Sequence, residues 1–519
     1  MVGKAVVNRV LLAAEITAEG PGMEMVDSEM ESHGQSVRPA LIVELQAILP
    51  ADAVLFDDED LHPYECDGLS VYRSTPLLVC LPETVEQVRK ILVLCHDCRV
   101  PVVARGAGTG LSGGALPLKD GVLLSLAKFT RILEVDPVAR LARVEPGVRN
   151  LVISQEAAPH GLYYAPDPSS QIACTIGGNV AENAGGVHCL KYGLTVHNVV
   201  GLKILTMDGQ LLELGGVTLD SPGYDLLALM TGSEGLLGVI VEVTVRLLPQ
   251  PETAQLILAA FDDVAVAAAA VSRIIAAGII PAGLEMMDKL AIQAAEDFIH
   301  AGYPRDVDAI LLCELDGQFD EVNEQMVLVQ QMLRQAGATH LEVALDDVQR
   351  QRLWAGRKAA FPAVGRLAPD YYCMDGTIPR HRLPQVLKQI GLWGEEYGLA
   401  IANVFHAGDG NLHPLILYDA SKTGELERVE ELGGRILELC VEVGGTVTGE
   451  HGVGVEKLGQ MCVQFGADEL KQFHAVKDAL DPRALLNPGK AVPTLHRCAE
   501  FGAMHVHKGE LPFPDLERF

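Results

Sequence analysis

RGAGTGLSGGALP, residues 105–117, places five glycines in thirteen positions. A run so poor in side chains lets backbone N–H groups close on a phosphate that a Cβ would obstruct. Within it, Gly108-Thr109-Gly110-Leu111-Ser112-Gly113 spells G-x-G-x-x-G, the letters of a dinucleotide-binding turn. That turn must open a helix of about a dozen residues. Here Gly113, Gly114, Pro117 and Gly121 break any helix, and the strand-like Val122–Leu126 follows at once. Glu134 and Asp136 stand near the spacing of a ribose-binding acid, but without the crossover helix nothing positions them. The expected element is a loop between two strands whose N–H groups cradle a pyrophosphate.

Around this loop the pattern reads as an α+β start. Strands are expected at 77–81, 100–104, 122–126 and 141–144. A helix over 84–97 is entered through Thr84, with Gln87 three residues on as its capping-box partner. Further on, PDPSSQIACTIGGNVAENAGGVHCLKYG (166–193) shows neither a helical nor a strand period. Its Gly177, Gly178, Gly185 and Gly186, with Thr175, Asn179 and Asn183, suggest a second backbone surface around a large flat ligand. Strands at 199–207 and 211–214 flank an Asp208-Gly209 turn, TGSEGLLGVIVEVTVRLLP (231–249) feeds a long β-branched strand, and Pro249 and Pro251 close the unit.

The remainder reads as a second α/β unit. It has helices at 265–277 and 321–336, a strand at 309–315, and strands 399–405 and 412–418 joined by the turn Gly408-Asp409-Gly410-Asn411. The expected division is a loosely ordered extension (1–37), a first domain (38–251), a second (252–493) and a surface tail (494–519). The tail's His496, His505 and His507 have no metal-like spacing.

A length of 519 residues is too great for one compact core. A formal charge of −29 argues against binding nucleic acid or an anionic membrane surface. No apolar run approaches the roughly 18–20 residues that span a bilayer. The eleven cysteines, odd in number and scattered, read as reduced thiols of a cytoplasmic protein. Cys95 and Cys98 form a lone CxxC inside a helix, too few ligands for an iron–sulfur cluster or a zinc ribbon.

Chemistry concentrates in two turns of the second domain. Asn403–His413 carries His406 and His413 on the two arms of one tight turn, and Thr448–Gly454 sets Glu450 beside His451 between glycines. Two imidazoles and a carboxylate form a set suited to a divalent metal with open positions.

Taken together, RGAGTGLSGGA, PDPSSQIACTIGGNVAENAGG, TGSEGLLGVIVEVTVRLLP, VFHAGDGNLHPLILYD, TGEHGVGVEK and LLNPGK resemble the FAD-linked oxidases of the vanillyl-alcohol-oxidase type, in the branch acting on glycolate and other small 2-hydroxy acids. The likeness runs from about Leu61 to Phe519. It implies an α+β chain: a two-part FAD-binding domain of the PCMH type, then an α/β substrate (cap) domain with an antiparallel sheet.

It also implies a pyrophosphate loop of Arg105, Gly106, Ala107, Gly108, Thr109, Gly110, Leu111, Ser112, Gly113 and Gly114. A second lobe falls on Pro168, Thr175, Gly177, Gly178, Asn183, Gly185 and Gly186, with Gly235, Gly238 and Ile240 near the adenine and Asn487 in LLNPGK also at the cofactor. The first loop has no histidine to tether a flavin, so FAD is expected to be non-covalent. By the same resemblance His406, His413 and Glu450 fall on ligands of a divalent metal such as Zn, Mn or Fe, His451 on the base, and Arg357 on the partner of the substrate carboxylate. Cys373 and Leu415 replace the lysine and asparagine with which relatives hold a second carboxylate, which points to a monoacid.

The implied activity is oxidation of glycolate to glyoxylate, with electrons passed to a second flavin subunit, an iron–sulfur subunit and the quinone pool. The membrane would be met only through those subunits. A D-lactate dehydrogenase and a non-catalytic flavin carrier are the alternatives.

Overall fold

The computed structural model describes residues 23–218 and 223–494. Residues 1–22 of the expected extension, and the tail from 495 with His496, His505 and His507, lie outside them. The part of the extension that is described is not loose. A helix runs over Met23–Ile48, and Val37, Leu41, Leu45 and Leu49, four residues apart on one face, are buried in the first core.

Three sheets organise the chain. The first has the order Val54–Leu55, Leu78–Cys80, Val122–Ser125, Val102–Arg105. Its last two strands are parallel, in register from Val102 opposite Val122 to Arg105 opposite Ser125. The glycine run makes that parallel crossover as an irregular loop with no helix, so the Rossmann reading fails for the reason its prolines and glycines gave. The helix Val85–Cys98 packs on this sheet through Val88, Ile91, Leu92, Cys95 and Cys98, and its capping box is formed by Thr84 and Gln87.

The second sheet is antiparallel: Ile132–Asp136, Leu141–Val144, Val239–Arg246, Val199–Leu205, Leu211–Gly215. Within 166–193, which showed no period, there is a helix at Ile176–Glu182 whose cap Asn183 is left-handed (φ 53°). Helix-poor glycines at 177 and 178 hid it.

The third sheet has seven strands in the order His340–Val343, Thr253–Phe261, Ala309–Gly317, Gly283–Asp288, Ile401–Phe405, Pro414–Tyr418, Asp370–Cys373. Its core includes Phe261, Leu311, Phe405 and Ile416, covered by the helices Val264–Ala276, Phe319–Ala336, Leu383–Tyr397 and Glu425–Glu442.

The chain's last described stretch returns to the first sheet. Val102 N–H donates to Leu485 O (2.8 Å) and Asn487 N–H to Val102 O (2.9 Å), while Leu485 and Leu486 are buried in the first core. Residues 485–487, assigned from sequence to the second domain, thus close the edge of the first. Cys462 is disulfide-bonded, so the expectation of reduced thiols throughout fails at that position.

Candidate active site

A cavity of about 480 Å³ opens between the first two sheets and the third. The residues expected in the pyrophosphate loop line it from Arg105 to Leu111 and again at Gly114, joined by Pro168, Thr175, Gly177, Gly178, Gly235, Gly238 and Ile240. The opposite wall carries Arg357, His406, His413, Glu450 and His451.

Six residues expected at the cofactor stand behind this lining. Ser112 is buried, and its carbonyl accepts from the N–H groups of Val455 (3.0 Å) and Glu456 (3.2 Å), while Gly113 packs on Val455. Asn183 caps its helix and accepts from Val196 N–H (2.9 Å), Gly185 lies against Glu450, and Gly186 lies against Asp167. Asn487 donates to the carbonyls of Gly114 (2.9 Å) and Glu234 (2.7 Å). These six fasten the lining turns to their surroundings, a role that shares the glycine and amide composition of a lining.

The cavity fits a flavin nucleotide. A methyl on Gly106 would overlap Thr175 Oγ1, so backbone rather than side chain faces the space there. Thr175 Oγ1 and Glu182 Oε2, both on lining residues, are closed from solvent with no hydrogen-bond partner. Orphaned polar atoms on a cavity wall are those a ligand satisfies.

The histidine turn is built from the third sheet. His406 ends the strand Ile401–Phe405 and His413 precedes Pro414–Tyr418, which brings their rings to 5.1 Å at 88°. Glu450 Oε1 sits between them, 3.1 Å from His406 Nε2 and 3.0 Å from His413 Nε2. On the far side, His406 Nδ1 meets Glu285 Oε1 at 2.9 Å, and His413 Nδ1 faces the Met374 carbonyl at 3.3 Å. Those outer partners fix Nδ1 as donor and present both Nε2 atoms to Glu450, the arrangement that orients imidazoles toward a metal.

Burial disfavours a charged His406, but Glu285 and Glu450 outweigh it and hold the ring well above its usual range. Burial likewise opposes the Glu450 carboxylate, while His406 and His413 hold it well below. The tightest donor groups do not include His406. They are Asp375, His413, Glu450 and His451, and Cys373, His413 and His451, with ligand atoms mutually within 4.8 Å. His406 joins them through Glu450 Oε1.

His451 stacks on His413 (4.9 Å, 11°), and its Nδ1 is buried without a partner. Burial, reinforced by His413 and opposed by Asp375, lowers its pKa to about 4, so the ring is neutral at pH 7. Arg357 is 1% exposed, and its Nη2 lies 2.6 Å from Glu285 Oε2. That contact is off-axis, and the Nε and Nη2 hydrogens have no protein acceptor, so they remain for a ligand.

Sequence reasoning missed two residues that set this geometry. Glu285 holds both His406 and Arg357. Asp375, fully buried, accepts from the N–H groups of Gly449 (2.9 Å), Glu450 (3.1 Å) and His451 (2.9 Å) and from Thr448 Oγ1 (2.6 Å), with Lys457 Nζ at 3.4 Å. Burial opposes its charge, but His451 and Lys457 hold the carboxylate below its usual range.

Comparison with known proteins agrees with this geometry. Residues 76–215 match the FAD binding domain family model, and 250–491 match the FAD linked oxidases C-terminal domain. The chain is 66% identical over 482 residues to the glycolate oxidase subunit GlcD of Escherichia coli, covering 93% of this chain and 97% of that one. It is 39% identical to the protein of the same name from Bacillus subtilis (84% and 93% covered) and 31% identical to a D-lactate dehydrogenase of Anaerostipes hadrus (88% and 97% covered). Among solved structures, p-cresol methylhydroxylase with substrate bound superposes with a TM-score of 0.74 at 18% identity, covering 89% of this chain and 98% of that one. Alkyldihydroxyacetonephosphate synthase gives 0.68 at 18%, covering 87% and 85%. No helix among the described residues is long and apolar enough to cross a membrane.

Proposed function

The chain belongs to the FAD-linked oxidases, and from that premise we propose that it oxidises glycolate to glyoxylate as the flavin-bearing subunit of a multisubunit complex. The single observation that carries this reading is the cavity itself: flavin-binding loops on one wall, and a guanidinium, two imidazoles, a carboxylate and a neutral histidine on the other.

FAD, when bound, supplies the acceptor for the hydride on the substrate's α-carbon. The chain's own groups do the rest. Arg357 takes the substrate carboxylate with its free Nε and Nη2 donors, a planar contact that lysine cannot reproduce. His451, neutral and with an unpartnered Nδ1, accepts the hydroxyl proton. His406, His413 and Glu450 would hold a divalent metal, Zn, Mn or Fe, which lowers the pKa of that hydroxyl. Glu285 fixes the orientation of both His406 and Arg357.

Preference for a small monoacid follows from the third sheet. Cys373 and Leu415 are cross-strand partners, 5% and 0% exposed, so that wall offers no group for a second carboxylate. D-Lactate differs from glycolate by one methyl, worth about 1–3 kcal/mol. The glycolate oxidase relatives carry the higher identities.

A second flavin subunit and an iron–sulfur subunit would carry the electrons to the quinone pool, with this chain cytoplasmic and held at the inner membrane only through them. The test is anaerobic bleaching of the chain's flavin by glycolate and by D-lactate. Faster bleaching by glycolate is expected. Faster bleaching by D-lactate reverses the substrate, and a flavin that neither acid bleaches makes the chain a carrier rather than the oxidising subunit.

A further inference from the structure

Glu182, last residue of the helix Ile176–Glu182, lines the cavity and has no part in the mechanism above. Its carboxyl lies where the two halves meet. A methyl carbon on Gly114, in the glycine loop, would stand 2.6 Å from Oε1, and one on Gly452, beside His451, would overlap Oε2. Glu234 packs against the same two glycines, so two carboxyls share one buried space.

The two are not equivalent. Glu234 accepts hydrogen bonds of 2.7 Å from both Val453 and Gly454 N–H, which favour its charged form. Glu182 Oε2 is closed from solvent and without a partner. Adjacent buried carboxyls do not both ionise, and the proton belongs on the one lacking donors. Burial first and then the charge of Glu234 push Glu182 well above the carboxylate range, against the opposing pull of Lys457 and Lys490.

We propose that Glu182 is kept as a neutral carboxylic acid whose O–H donates to the redox-active ring of the flavin, at the edge where the glycine loop meets the His451 turn. This rests on FAD occupying the cavity as proposed above. An O–H shut off from water is costly unless something accepts it, and no protein atom among the described residues does so for Oε2. The ring's carbonyl and imine edge offers such acceptors. Reduction makes that edge richer in electrons, so the bond strengthens and favours the reduced form.

The experiment measures the flavin's reduction equilibrium against a reference dye in the FAD-loaded wild type, E182Q and E182L. E182Q, still a neutral donor, is expected to leave the equilibrium in place. E182L is expected to shift it at least about tenfold toward the oxidised form, about 30 mV for a two-electron couple. An ionised Glu182 predicts the opposite sign, with both neutral replacements favouring reduction, and that result overturns the proposal. So does an E182L equilibrium equal to wild type, including the case in which only KM changes and the donor serves substrate. Should E182L fail to retain FAD, the infrared C=O band of a protonated carboxyl decides: present in wild type, absent in E182Q, and moving on flavin reduction. A band that is missing or does not move overturns the assignment. A colourless wild-type protein refutes the flavin reading itself; a yellow one with the wrong sign refutes only the role of Glu182.

Discussion

Replacing Asp375 separates charge from hydrogen bonding at the turn that carries Glu450 and His451. Its carboxylate accepts from three successive backbone N–H groups and faces the fully buried Lys457. In D375A the N–H groups lose their acceptor, at about 1–3 kcal/mol each, and the lysine loses a buried counter-charge, at about 3–5 kcal/mol. These losses overlap because one group supplies both, which sets the expected destabilisation at about 5 kcal/mol. D375N keeps an acceptor oxygen and turns charge-assisted bonds into neutral ones, about 1 kcal/mol for each N–H and about 3 kcal/mol in all. Domains are stable by about 5–15 kcal/mol, so D375N should fold while D375A stands near its limit. At about 2–4 °C per kcal/mol, D375N should melt about 6–12 °C below wild type. The assay is thermal unfolding followed by circular dichroism and flavin release at fixed FAD concentration. If D375A melts within about 2 °C of wild type, a change under about 1 kcal/mol, this carboxylate does not hold the turn.

His451→Ala should lower glycolate turnover by about 10²–10⁴ while the protein stays yellow; unchanged turnover removes His451 as the base. Gly106→Ala puts a methyl into Thr175 Oγ1 and should yield protein purified without flavin, so normal FAD content would show that the loop can give way. His188 bridges the halves, with Nδ1 at 2.9 Å from Asp167 and Nε2 at 3.4 Å from Glu314, whose other oxygen meets Arg350 and Trp354. Burial opposes its charge, but the two carboxylates raise it well above 6.5. The stabilisation is therefore complete below pH 6.5 and lost as pH rises through the folded value. The stability gap between wild type and His188→Gln should be widest at acid pH and narrow in alkali, and a gap that does not change with pH refutes the charged bridge.

Local pattern made the cofactor wall legible and left much of the catalytic wall's support hidden. Gly106, Gly108 and Gly114 announce themselves because a cradle of backbone needs consecutive residues without side chains. His406 and His413 could be paired because one short turn holds both. Glu285 could not, since its partner His406 lies 121 positions away. It sits in GLEMMD, a strand whose six residues are all buried. An acid in so apolar a strand was the available signal, because a buried charge persists only when paired. Asp375 is 76 positions from the His451 N–H it anchors, and Glu182 was read only as a spacer between glycines. Periodicity reports which face a residue occupies; it does not report which distant group waits there.

The return of residues 485–487 to Val102 has a consequence for how the protein is made. A ribosome finishes the first two sheets long before it reaches Leu485, yet the edge at Val102 stays uncovered until then. The half synthesised first is thus completed last, its nascent form carrying an open strand edge throughout synthesis of the second half. Loss of a few residues at the far end of the gene would show itself in the amino-terminal half.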